Sequence, residues 1–102
     1  MPTKIIFIYD NPTDPDAFEA AYPEQFTLAE RVPGVQQLES SKVWPKEDGS
    51  PTPAYRLLEL SFSSYETASA AVTTEEAGKL IAYVFELATG GVRIVFVDVE
   101  KS

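Results

Sequence analysis

An α+β fold, with a four-stranded antiparallel sheet and helices on one of its faces, is predicted by three features of this sequence. Four short runs rich in β-branched and aromatic residues are separated by segments of helical periodicity. Their order is β-α-β-β-α-β, with the second helical region in two pieces. The strands are also apolar on both of their sides, as if a second layer were needed to cover the sheet.

The first strand spans residues 3–9, from Thr3 through Ile5, Ile6, Phe7 and Ile8 to Tyr9, and stops at Asp10, Asn11 and Pro12. Asp14 then reads as a helix N-cap with Pro15 at the first helical position. Phe18, Tyr22, Phe26 and Ala29 recur every three or four residues and are expected to share the buried face. Pro23 lacks an N–H and crowds the preceding turn, which predicts a kink or two short helices meeting near Tyr22. Val32, Pro33 and Gly34 end the helix.

Val35 to Trp44 reads as the second strand, and the proline-rich stretch Pro45 to Pro53 as an exposed loop. Ala54 to Phe62 is the best alternating strand of the four. Ser63 with Glu66, and Thr73 with Glu76, have the spacing of capping boxes, opening a short helix over about 64–72 and then a second one. Ala77, Leu80, Ile81, Val84 and Phe85 form the apolar stripe of that second helix. Gly90 and Gly91 end it, and Val92 to Val99 is the fourth strand. This is the ferredoxin-like arrangement in a single domain covering residues 1–102. Ile5, Phe7, Ile94, Val95, Phe96 and Val97 supply apolar groups to both sheet faces, which predicts a homodimer packed sheet against sheet.

The chain contains no histidine and no cysteine. That removes imidazole bases, thiolate nucleophiles, thiolate zinc sites and His-ligated haem, so neither a metal nor a cofactor is expected. Sixteen acidic residues against eight basic ones give a net charge of −8, a field that repels a phosphate backbone and argues against nucleic acid as a partner. No apolar run approaches the ~20 residues of a membrane span, and Met1 to Lys4 lacks a signal-peptide pattern, so a cytoplasmic location is expected.

Carboxylates and phenols remain as candidates for chemistry. Alternation puts Glu59 on one face with Tyr55, Leu57 and Ser61, opposite Arg56, Leu58, Leu60 and Phe62. If the hairpin pairs Trp44 with Ala54, Glu39 stands directly across from Glu59, and two such carboxylates share a proton or split their pKa values. Glu59 is the candidate for proton transfer, with Tyr22 or Tyr55 orienting a carbonyl or phenol. Tyr9, Tyr22, Phe26, Glu39, Tyr55 and Glu59 are expected to line one pocket, and Trp44 is a further aromatic candidate.

Four stretches resemble the EthD-like family: Phe18 with Tyr22, Leu28 to Val35, Tyr55 to Phe62, and Ala88 to Val92. The resemblance implies the dimeric α+β barrel superfamily and a small organic ligand, bound or transformed between sheet and helices. It leaves as alternatives a non-catalytic accessory module and a cofactor-independent monooxygenase or cyclase. Members of this family often carry a His in the first helix a few residues after the tyrosine matched by Tyr22. Here Gln25 or Phe26 takes that place.

Overall fold

The computed structural model describes residues 1–102. The elements run β1 (Thr3–Tyr9), α1 (Pro15–Glu30), β2 (Gln37–Lys42), β3 (Arg56–Phe62), α2 (Tyr65–Ala71), α3 (Glu75–Leu87) and β4 (Val92–Asp98). All four strands pair antiparallel in the order β2-β3-β1-β4, and the helices cover one face. The predicted β-α-β-β-α-β order and ferredoxin-like class are borne out.

Strand alternation sorts the central side chains cleanly. Thr3, Ile5, Phe7 and Tyr9 of β1, with Leu58, Leu60 and Phe62 of β3, point toward the helices and are buried. Their neighbours Ile6, Ile8, Leu57 and Glu59 point to the open face and are half-buried. The register of β2 on β3 sets Glu39 opposite Glu59, as the hairpin argument requires.

Asp14 caps α1, its side chain accepting from the Ala17 amide, an interaction worth about 1 kcal/mol. The helix continues through Pro23 as one element of sixteen residues, not two short ones. Proline there removes a single backbone bond, the one to the Glu19 carbonyl, and packing on the sheet outweighs that loss. The buried face is Phe18, Tyr22, Gln25 and Ala29, with Gln25 in the place expected for Phe26. At about 100° per residue, position 25 lies about 20° from Phe18 at one margin of the arc set by 18, 22 and 29, whereas 26 lies about 40° beyond Tyr22 at the other.

Two helix caps fall one residue later than expected. Ser64, not Ser63, accepts from the Thr67 amide, and Thr74, not Thr73, accepts from the Ala77 amide. Both sites are hydroxyl doublets, and the second member is the one that abuts the helix, so neither glutamate closes a capping box. Glu66 and Glu75–Glu76 instead lie in the first turns, where they favour the positive helix end. On α3, Leu87 is buried while Phe85 is 60% exposed, because position 85 lies on the flank of the Ala77–Leu80–Val84 stripe. β2 is shorter than predicted: Val35, Gln36, Val43 and Trp44 lie outside the ladder, and Trp44 is 88% exposed.

One ion pair ties α1 to the sheet. Arg56, the first residue of β3, donates to both oxygens of Glu19, from Nε at 2.9 Å and from Nη2 at 2.7 Å. Its guanidinium also lies over the Tyr22 ring, 4.4 Å from the centroid. The bidentate bonds from Arg56 hold the Glu19 carboxyl down at about 2, and the same bonds raise the Arg56 pKa.

Two outcomes follow from this packing. A methyl group at Gly90 would lie 1.9 Å from the Asn11 carbonyl oxygen, so Gly90→Ala must push the α3–β4 turn off the β1–α1 turn. Its thermal midpoint should fall by about 4–8 °C for each kcal/mol lost, and an unchanged midpoint would mean that the close approach is not held in solution. For Glu19 the folded pKa lies below the ordinary 4.5. Its stabilisation is therefore complete above that value and is lost as pH falls toward 2. With Glu19 one-third exposed, we expect about 1–2 kcal/mol at pH 7 after allowing for solvent screening. Glu19→Gln should be destabilised by that amount at pH 7 and should converge on the parent protein near pH 2. A constant difference across the acid range would contradict the ion pair.

Candidate functional site

Beneath α1 the side chains form an aromatic layer. The Tyr9 and Phe18 rings meet edge to face at 5.1 Å, Phe18 stacks on Tyr22 at 5.5 Å, and Tyr55 meets Phe18 edge-on at 5.2 Å. Tyr22 exchanges a 2.7 Å hydrogen bond with the Ser40 hydroxyl, which anchors α1 to β2. Tyr55 departs from the alternation expected of it. It precedes the regular ladder, its ring turns to α1, and its hydroxyl donates to Glu19 at 3.2 Å. Burial and the adjacent Glu19 carboxylate raise its pKa. Lys42 completes this edge, 5.5 Å above the Tyr55 ring and 3.7 Å from Glu19.

Deeper in the same layer, three polar atoms have no hydrogen-bond partner in the protein: the Tyr9 hydroxyl and both amide atoms of Gln25. Both residues are fully buried. Burial, with Tyr22 and Tyr83 close by, pushes the Tyr9 pKa far above its ordinary value, so this phenol stays protonated. A buried polar group left unpaired costs about 1–3 kcal/mol.

The other side of the sheet carries a different group. Glu39 and Glu59, directly opposed across β2 and β3, share one ammonium: Lys4 Nζ lies 3.4 Å from Glu59 and 3.7 Å from Glu39. Lys4 belongs to the row next to Ile6, on the same open face. Around this triad lie Ile6, Ile8, Leu57, Val95 and Val97.

The six residues predicted to line one pocket therefore divide. Tyr9, Tyr22, Phe26 and Tyr55 belong to the helix side, and Glu39 and Glu59 to the open side, with the sheet between them. Tyr22 is buried by Arg56, Phe18 and Tyr9, not set beside a gap at Pro23. The sequence alone assigns no structural role to four further residues. Lys4 could have been found from its diagonal position relative to Glu59 once the strand order was assumed. Gln25 could have been found from the helical angle alone. The Glu19–Arg56 pair carries no local signal, since its partners are brought together only by docking of α1.

Between the sheet and α3 lies a cavity of about 170 Å³, walled by ten residues, all of them apolar. Phe7, Leu60, Ile94 and Phe96 form its sheet side, and Ala77 and Leu80 its helix side. No titratable side chain faces it. A second depression of about 230 Å³ runs between α1 and α3, floored by Phe18, Ala21 and Tyr83 and rimmed by Asp14 and Glu86. No helix of the chain is long and apolar enough to cross a membrane.

No protein-family profile matches the chain. It is 33% identical over 98 residues to an uncharacterised 11.0 kDa protein from the thcB–thcC intergenic region of Rhodococcus erythropolis, covering 95% of this chain and 94% of that protein. Among solved structures, an ethyl tert-butyl ether degradation (EthD) family protein from Bacillus halodurans superposes with a TM-score of 0.86 at 20% identity, over 96% of this chain and 98% of that one. A dimeric ferredoxin-like protein of unknown function from Jannaschia superposes with a TM-score of 0.69 at 12% identity, over 97% and 100% of the two chains. The chain thus belongs to one family with the Rhodococcus erythropolis 11.0 kDa protein, and its fold is that of the EthD family protein from Bacillus halodurans.

Proposed function

We propose that this protein is a homodimeric, EthD-type domain that binds a small organic molecule between its sheet and its helices. The observation that carries this reading is the apolar cavity beneath α3, lined by side chains of three strands and of the helical layer and open on one side at Phe96. Pockets of this kind, apolar with few polar groups, are the default ligand sites of small domains.

Binding is favoured over proton-transfer chemistry. Gln25 or Phe26 takes the helix place where family members often carry His, and neither an amide nor a phenyl ring accepts or releases a proton at ordinary pH. Glu59, the candidate base, lies across the sheet from the cavity and is paired with Lys4. Its place on the open face suits an interface role: it neutralises Lys4 where a second sheet would exclude water.

The dimer reading rests on that open face. Ile6, Ile8, Leu57 and Val97 are half-buried in the isolated chain although no helix covers them, and Val95 is 38% exposed. A second copy, sheet against sheet, would remove this surface from water at about 25 cal/mol per Å². The dimeric Jannaschia neighbour supports the same arrangement.

Sedimentation at micromolar concentration should give about twice the chain mass of 11.2 kDa. Ile6→Asp should give a folded monomer, because Ile6 points away from the helical core. A parent protein that sediments as a monomer removes the dimer reading. For the ligand, a thermal-shift panel of neutral one-ring, neutral two-ring and charged organic molecules should contain at least one that stabilises saturably. Gln25→Leu should raise the thermal midpoint in the absence of ligand, because it removes an unpaired buried amide. A lower midpoint would show that the amide is already satisfied. A panel in which nothing stabilises the protein would dismiss the binding reading.

A further inference from the structure

We infer that the cavity beneath α3 takes a neutral, one-ring, hydrocarbon-like molecule, and that this molecule enters at the edge of β4, past the Phe96 and Tyr65 rings. The inference deepens the binding reading above and rests on it.

Three observations define the ligand. The first is size: at about 170 Å³ the cavity is close to the ~150 Å³ at which an apolar protein cavity stays dry and admits benzene. A fused two-ring skeleton would need the packed walls to move, and such walls resist compression. The second is chemistry. All ten wall residues are apolar, so a polar atom held at the centre would forfeit its hydrogen bonds to water with nothing in return. The third is charge: no wall residue supplies a counter-ion, and the protein's net charge of −8 disfavours anions further.

The entry route follows from burial. Ile5, Phe7, Val32, Leu60, Ala77 and Leu80 are buried, and Val72, Ile81 and Ile94 are half-buried. Phe96 is the one wall residue with large exposure, at 40%. It sits on an edge strand, with no further strand beyond it. Its ring contacts that of Tyr65 on α2, centroids 5.8 Å apart and tilted by 58°, and Tyr65 is 55% exposed. The cavity opens to solvent on this side, and rotation of Phe96 away from Tyr65 would widen the mouth without disturbing the sheet ladder. A single polar atom on the ligand would be tolerated at this mouth, where Tyr65 and water are at hand, and nowhere deeper.

Toluene and benzoate test the inference as a pair, since they share a ring and differ in charge. Toluene should raise the thermal midpoint of the intact protein saturably, and benzoate should not do so at matched concentration. Phe96→Ala removes part of the cavity wall and should weaken toluene binding, while the association rate measured by NMR line shape rises about tenfold or more, which a loss of affinity alone would not produce. Ala77→Leu should fill the cavity and abolish the toluene shift. If that variant folds poorly, Ile94→Phe fills the cavity from the opposite wall and serves the same purpose.

Equal stabilisation by benzoate overturns the inference, as does a toluene shift that persists in both filled variants. An unchanged association rate in Phe96→Ala overturns the entry route. If toluene fails while a larger or charged member of the panel stabilises the protein, the ligand class assigned here is wrong and the broader binding reading stands. If no molecule stabilises the protein, both fall together.

Discussion

Everything in this fold depends on the period of two in its central strands. β1 and β3 carry apolar residues on both of their sides, so alternation produces two apolar surfaces rather than one. The side with Ile5, Phe7, Tyr9, Leu58, Leu60 and Phe62 is closed by α1, α2 and α3. The side with Ile6, Ile8 and Leu57 is left without helices. A one-residue slip of β3 would exchange Glu59 for Leu58 and bury a carboxylate among the core side chains, at a cost on the order of several kcal/mol, a large share of the stability of a domain this size. The register is thereby locked, and with it the placement of every candidate side chain.

Two polar arrangements then hold the helical layer at a defined height above the sheet. Arg56 stands on the helix side of β3, where an unpaired guanidinium would be costly. Its bidentate pairing with Glu19 and its contact with the Tyr22 ring turn that cost into an anchor for α1. Tyr22 passes the anchor on to β2 through Ser40. At the far end of the layer α3 contributes small and branched residues rather than long ones. Ala77 opposite Phe7 and Leu60 leaves the space that becomes the cavity. A larger side chain at that one helical position would make the layer solid, so the cavity depends on sequence and not on topology alone.

Much of this was legible in the sequence. β1 was read to the residue, and the Glu39–Glu59 pairing followed from one assumed hairpin contact, because antiparallel register propagates without error along a regular ladder. What could not be read had specific causes. Tyr55 lies one residue outside that ladder, so alternation no longer governed its direction. Gln25 was passed over because polarity was allowed to outrank helical angle. The doublets Ser63–Ser64 and Thr73–Thr74 offer two hydroxyls each, and only packing of the following helix selects the second. The cavity has no sequence signature, since its walls are ordinary core residues and its existence depends on volumes that do not quite fill the layer.

The missing imidazole gains meaning from these placements. Gln25 sets a donor and an acceptor on the buried face of α1, with the protonated phenol of Tyr9 in the same layer, and its amide moves no proton at ordinary pH. The carboxylates that remain in the chain are either exposed, committed to Arg56 in the case of Glu19, or placed across the sheet with Lys4 in the case of Glu39 and Glu59. None of them lines the apolar cavity. In a layer so arranged the apolar cavity and the acid–base groups occupy different parts of the fold, because the same alternation that gathers the apolar walls under α3 turns Glu39 and Glu59 to the opposite face.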